Sequence, residues 1–420
     1  MTVHSIEKCY KLNGYPLGHE LHGKTKNIAV AVTHPRAHSD SDYDEDSTES
    51  IALTKSFSQS KADYSLFTRE AHGIFVAILV YVDDILVASN DLNSVHALKS
   101  LLHSKFKIKD LGKLRYFLGT EIARSSKGIY LCQRKYTLDI LADSGNLGSN
   151  IAKVPMEQNL KLTQSTGIPL SDSSVYRRMI GRLLYLTISR PDISFSIQTL
   201  SQFLATPTDV HLLAAQKVLR YLKVAPGQGL FLPNSSSFQL EAYCNSNWVS
   251  CPNTKRSING YCVFLGSSLI SWKSKKQAVV SQSSAEAEYH SMAATCSELM
   301  WLRFILAALQ VHHPQAILLY CDNQAAIHIV ANPIFHERTK HIELDHHLIR
   351  DRIQEGNVCT RYVPRSAQVA NTMTKVLSSK VLHIHLSKMG VVNLYASSCG
   401  GVLENESQQH TNKGKEVAIT

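Results

Sequence analysis

No stretch of this 420-residue chain approaches the ~18 uninterrupted apolar residues that a bilayer-spanning helix requires. The best run, Phe75 to Val82, is stopped by Asp83 and Asp84. The first residues, MTVHSIEKCYKLNGYPLGHE, lack the apolar core of a secretory signal. The nine cysteines, an odd number, are scattered and never form C-x-x-C, so they read as reduced thiols. Charge is not concentrated either: 44 Lys+Arg against 34 Asp+Glu give +10 without a basic tail. Together these absences exclude a membrane role and point to an intracellular chain, cytoplasmic or nuclear.

What is present is globular. Hydrophobic residues make up 44% and aromatics 8%, enough to bury a core over ~2–3 domains of ordinary size. The excess of cations suits a polyanionic partner, and equally an ordinary basic surface. Residues 1–54 are rich in His, Lys, Gly and Ser and carry an acidic run from Asp40 to Asp46, so they read as mostly without regular structure. The tail from Tyr395 reads the same way. Between them, two β-branched runs flank Val82-Asp83-Asp84 as a hairpin, followed by an amphipathic helix through Val95, Leu98, Leu102 and Phe106. A second hairpin spans 114–132, then a helix from Tyr136 to about Ala142. Longer helices are predicted near 175–204 and 208–224.

From Phe238 the order changes. Strands are predicted at 238–244, 260–265 and 269–273, a helix at 284–309, and an apolar strand at Ile317–Cys321 leading into a helix at 324–331. A helix at 342–355, a strand at 359–363 and a last helix from about Ala367 complete the order. The fold class is therefore α/β (α+β), with a mixed sheet covered by helices.

Three carboxylate placements can carry chemistry. Asp83 and Asp84 repel each other at the hairpin turn, which a divalent cation would relieve; a solvated turn is the plain alternative. Glu286 stands three residues before Tyr289 and seven before Ala293, which places it on the helix face toward the sheet and turns Glu288 elsewhere. Its plain alternative is a glutamate favoured by the helix dipole. Asp322 ends an apolar strand and precedes a helix, a position that serves both a helix N-cap and a metal ligand.

With their flanking residues these placements converge. Tyr81-Val-Asp-Asp-Ile-Leu-Val-Ala88, Asp110-Leu-Gly-Lys-Leu114, Ser189-Arg-Pro-Asp-Ile193, Ile270-Ser-Trp-Lys-Ser-Lys-Lys-Gln277, Ser283-Ser-Ala-Glu-Ala-Glu-Tyr289, Cys321-Asp-Asn323, Thr339-Lys-His-Ile342 and Tyr362-Val-Pro364 occur in order. From Ser58 to about Leu394 the chain resembles the copia-type retrotransposon Pol polyprotein. The resemblance implies a truncated reverse transcriptase palm, thumb and connection at 55–235, an RNase H-like domain at 236–394, and a tail at 395–420. His4 and Cys9 resemble the end of a Gag zinc knuckle, but two ligands cannot close a tetrahedral site, so Zn2+ is not expected.

The resemblance also assigns chemistry. Asp83, supported by Asp84, matches a polymerase Mg2+ ligand, with Mn2+ as an alternative ion. The earlier palm strand that carries a further aspartate has no counterpart, so polymerase activity is not expected. In the RNase H part Glu286 and Asp322 match two of four carboxylates that grip Mg2+. The other two positions read Asn245, in Tyr243-Cys-Asn-Ser-Asn-Trp248, and Asn371, in Ala370-Asn-Thr-Met-Thr-Lys375. Two lost charges should weaken Mg2+ binding and hybrid cleavage sharply; Asp345 is a candidate substitute ligand, with a structural or solvated helix face as the plain alternative. Lys273, Lys275, Lys276 and Lys375, with Arg350 and Arg352, are the candidate contacts to an RNA–DNA hybrid or other nucleic acid. Other retroelement polyprotein chains are candidate partners.

Overall fold

The computed structural model describes residues 26–32, 57–331 and 343–395, with the backbone alone at 26–32 and 343–347. The His4–Cys9 remnant, the acidic run, Thr339–Ile342, the side chain of Asp345 and the tail beyond 395 lie outside the described parts. Among the described residues no helix is long and apolar enough to cross a membrane.

The first sheet is built from β1 (Lys26–Val32), β2 (Ser58–Gln59), β3 (Leu66–Ala71), β4 (Ile74–Tyr81), β5 (Asp84–Ser89) and, after helix α1 (Leu92–Lys105), β6 (Ile108–Lys113). Its order is β2-β3-β4-β5-β1-β6. Asp91 caps α1 by accepting from the Ser94 N–H, and Val95, Leu98 and Leu102 bury one helical face against the sheet. β1 is a regular strand inside the segment 1–54, which was expected to be mostly without regular structure. The segment Ile28-Ala-Val-Ala-Val32 is its longest apolar run, and that run lies in a central sheet position, parallel to both β5 and β6.

The second sheet joins β7 (Tyr116–Phe117), β8 (Thr120–Ser125), β9 (Gly128–Cys132), β10 (Gln228–Pro233) and β16 (Val391–Asn393), in the order β16-β10-β9-β8-β7. Between them run α2 (Arg134–Asp143), α3 (Ser173–Leu186), α4 (Ser194–Leu200) and α5 (Asp209–Leu222). The single helix expected over 175–204 is in fact broken. Pro191 cannot continue a helix, and it holds Arg190 before it at φ −122°, ψ 78°. The break carries a buried ion pair, Arg190 to Asp192 at 2.7 Å, whose carboxylate also accepts from Tyr221 and Gln228.

The third sheet contains β11 (Leu240–Asn247), β12 (Ile258–Leu265), β13 (Ser268–Lys276), β14 (Ile317–Cys321) and β15 (Val358–Tyr362), ordered β13-β12-β11-β14-β15. Three strands are antiparallel, and β14 and β15 add parallel to β11. Helices α6 (Ser284–Ala308), α7 (Gln324–Ala331), α8 (Glu343–Gln354) and α9 (Ser379–Lys388) accompany it. Instead of one last helix from Ala367, a 3-10 turn at Val369–Met373 precedes α9.

Successive residues of β12 enter different cores. Tyr261 and Val263 pack under α6, whereas Cys262 and Phe264 join the core of α3, α4 and α5. A strand covered on both faces reads as an unbroken apolar run, as Tyr261–Leu265 does. Apolar packing therefore continues across residue 235, the boundary expected from the sequence.

Candidate active site

The palm hairpin closes in two residues. Tyr81 pairs with Asp84, leaving Val82 and Asp83 as the turn. Val82 adopts φ +48°, a region that a β-branched residue enters only at a cost. Asp83 and Asp84 are both half-exposed at this tip. Among the described residues neither belongs to a group of three or more metal-ligating side chains. The neighbouring strand β1 places Asn27 in register with Asp84, and its sequence, Lys26–Val32, holds no carboxylate.

The second site forms where β11 and β14 run parallel and α6 crosses them. Asn245 on β11, Glu288 on α6 and Asp322 just after β14 converge. Glu286 does not take part, which corrects the expected helix phase. Its backbone N–H donates to Ser283 Oγ and its carboxylate accepts from the Gln282 N–H at 2.8 Å, which commits it to the helix-start motif. The stripe turned inward runs Glu288, Met292, Thr295, Leu299, Leu302 and Leu306, spaced four and three residues apart. Tyr289 and Ala293, on which the expected phase was anchored, are buried on the flank of that stripe.

Glu288 is 5% exposed. One carboxylate oxygen accepts from the Ser246 N–H at 2.8 Å, and Cys321 Sγ lies 3.8 Å from the other. Burial pushes its pKa well above the usual glutamate range, and the neighbouring Cys321 adds to this against the Ser246 N–H. Asn245 Nδ2 donates to Asp322 Oδ1 at 3.2 Å and to Glu288 Oε1 at 3.4 Å. Its Oδ1 accepts from the Thr374 hydroxyl at 2.6 Å, which fixes which end of the amide faces the carboxylates. Asn371 meets Thr374 through its backbone carbonyl, which accepts from the Thr374 hydroxyl and from the Thr374 and Lys375 N–H groups. Its own Nδ2 donates to the Arg365 carbonyl, and its buried Oδ1 has no hydrogen-bond partner among the described residues.

Glu288, Cys321 and Asp322 offer ligand atoms within 4.8 Å of one another. This set does not fit a pair of Mg2+ ions. Mg2+ wants several hard anionic oxygens in near-octahedral array, and here a thiol replaces one and an amide N–H points between the other two. Reasoning from sequence missed Glu288, Cys321 and Thr374; the S-x-x-E pattern at Ser283–Glu286 was the available signal that Glu286 belonged to the helix start.

The basic candidates separate. Lys273 and Lys275 are exposed on the edge strand β13, beside a cleft of 310 Å³ lined by Leu184, Ile188, Ile270 and Trp272. Lys276 is held by Gln202 at 2.8 Å, Arg352 by Glu355, and Arg350 by the Ile329 carbonyl. Lys375 is half-buried near the cluster, where burial and Arg365 lower its pKa and Asp322 and Glu288 oppose them.

A paired-aspartate hairpin on a palm-like sheet, joined to an RNase H-like mixed sheet with acidic groups at strand ends, defines the reverse transcriptase–RNase H class. The profile of the reverse transcriptase (RNA-dependent DNA polymerase) family matches residues 45–158, starting inside the segment assigned above to 1–54. The retrovirus-related Pol polyprotein from transposon RE2 of Arabidopsis thaliana is 42% identical over 353 residues, 84% of this chain and 24% of that one. An uncharacterized mitochondrial protein of Arabidopsis thaliana is 39% identical over 224 residues, 53% of this chain and 93% of that one. A foamy viral protease–reverse transcriptase, solved with double-stranded DNA, aligns over 68% of this chain and 46% of its own at 16% identity and a TM-score of 0.39. The chain belongs to the copia-type retrotransposon Pol polyprotein family. It spans about a quarter of the length of the RE2 polyprotein.

Proposed function

We propose that this chain engages RNA–DNA hybrids as a retrotransposon-derived reverse transcriptase/RNase H fragment whose cleavage and polymerisation are both impaired. The observation that carries this reading is the Asn245 side chain, whose N–H group donates to Glu288 and Asp322 together. A cation between those carboxylates would have to displace that amide, and it would find two anionic oxygens fewer than the family's four-carboxylate set supplies. For polymerisation, the strand adjoining Asp84, Lys26–Val32, carries no carboxylate.

The test is cleavage of a labelled RNA–DNA hybrid by the full chain in Mg2+ or Mn2+, beside a chain carrying Asn245→Asp and Asn371→Asp. The expected result is silence in the first and metal-dependent cleavage in the second, abolished by Glu288→Gln. Cleavage by the unmodified chain would overturn the reading.

Binding without cleavage is supported by Lys273 and Lys275, which alternate outward on β13 and can follow a phosphate backbone. Lys on an edge strand also blocks unwanted strand pairing, so the salt dependence decides. Lys273→Ala with Lys275→Ala is expected to reduce the slope of log affinity against log salt by about 2. An unchanged slope would assign both lysines to edge protection.

A further inference from the structure

Strands β5 and β6 are connected by α1, yet they are not neighbours. One strand's width separates them, and β1 fills it. β1 pairs with β5 from Asn27↔Asp84 to Val32↔Ser89 without a break. On its other side it pairs Lys26 with Ile108, Asn27 with Lys109, Ile28 with Asp110 and, after a shift, Val30 with Lys113. Without β1, two inner edges would present rows of unpaired N–H and C=O groups beside the buried residues Ile85, Val87 and Ile108.

We propose that the gap between β5 and β6 is a strand-acceptor site, and that residues 26–32 of the same chain are its occupant. Recognition runs through the main chain, so the site takes an extended, uncharged, β-branched segment. Asn27 to Val32 meets that description: no residue in it is charged or proline, and five in a row are apolar. Nothing else in the first 54 residues offers so long an apolar run. The occupant completes the sheet and contributes no carboxylate beside the Asp83–Asp84 turn, so sheet closure and catalytic competence are uncoupled at this position. Residues 33–57 separate β1 from β2, so among the described residues β1 is the one strand of this sheet that is not continuous with the run from β2 to β6.

Hydrogen exchange of the full chain tests this. Amides of residues 27–32 should exchange at least ~100-fold more slowly than those of an unstructured peptide. Adjacent strand residues direct their N–H groups to opposite neighbours, so Ala29→Pro with Val30→Pro removes one donor toward each of β5 and β6. That variant should exchange faster at 26–32, 84–89 and 108–113 and remain unchanged at 317–321. A synthetic peptide of residues 24–34, added in excess, should slow 84–89 and 108–113 again. Unstructured rates at 27–32 in the unmodified chain would overturn the proposal, as would unchanged protection of β5 and β6 in the variant. Protection that rises with chain concentration would assign the strand to a second copy and overturn the intrachain placement. If the variant also loses protection at 317–321, the unmodified chain and its concentration series decide alone.

Discussion

The two acidic sites of this protein stand in different surroundings, and the surroundings dictate what each carboxylate has to find beside it. At the palm hairpin, Asp83 and Asp84 stand half-exposed on a turn, within reach of solvent, where a charge costs little. In the RNase H-like sheet, Glu288 and Asp322 meet under a helix, where an uncompensated charge is expensive. There the Asn245 amide, the Ser246 N–H and the Thr374 hydroxyl close a network, and burial drives Glu288 toward its neutral form. An exposed site can lose a ligand and stay as it was. A buried one has to be rebuilt.

Breaking the buried network should therefore have the largest effect. Glu288→Ala leaves the Ser246 N–H without its acceptor and opens a void under α6, and a loss of about 3 kcal/mol is expected in a urea titration. Asp83→Ala, the matching change at the hairpin, should stay within about 0.5 kcal/mol. Equal effects would remove the distinction between the sites. Next comes metal. Asn245→Asp brings a third carboxylate where an amide donor now lies, so in chelator the chain should lose about 2 kcal/mol. Mg2+ at ~100 times its dissociation constant should then restore about 2.7 kcal/mol. The unmodified chain should melt at the same temperature with and without Mg2+.

Some of this was legible in the sequence and some was not, for physical reasons. The Asp83 hairpin was readable because two β-branched runs flank it, and Asp322 because an apolar strand ends on it. The Pro191 break was equally readable from the proline rule, yet the apolar spacing through 175–204 concealed it. Glu288 was lost because phase was taken from Tyr289 and Ala293, which are buried on the flank; the full stripe from Glu288 to Leu306 gives the correct face. β1 was not legible locally. Its place depends on a gap created by residues 84–113, and no periodicity within 26–32 reports a gap elsewhere. That Asn245 departs from an acidic pattern was visible, but its role as a donor to two carboxylates required their positions.

The pH dependence sharpens the comparison further. The pKa of Glu288 is raised in the folded chain, so the stability it contributes is complete below its ordinary value of 4.5 and is lost as pH climbs through the higher folded value. In chelator, Glu288→Gln should flatten stability over that window, by about 1.4 kcal/mol for each pH unit removed.

The smallest effect belongs to the hairpin backbone. Val82 at φ +48° sits in the left-handed region, which costs a residue with a Cβ about 1–2 kcal/mol. Glycine removes that cost but adds about 0.5–1 kcal/mol of chain entropy to the unfolded state. The balance predicts that Val82→Gly stabilises by about 0.5 kcal/mol, read as a rise in the urea midpoint at constant slope. A fall would mean that the valine side chain holds the turn against β4 and β5. The hairpin would then be a packed structural element like the buried cluster, and the contrast between the two sites would narrow from the palm side.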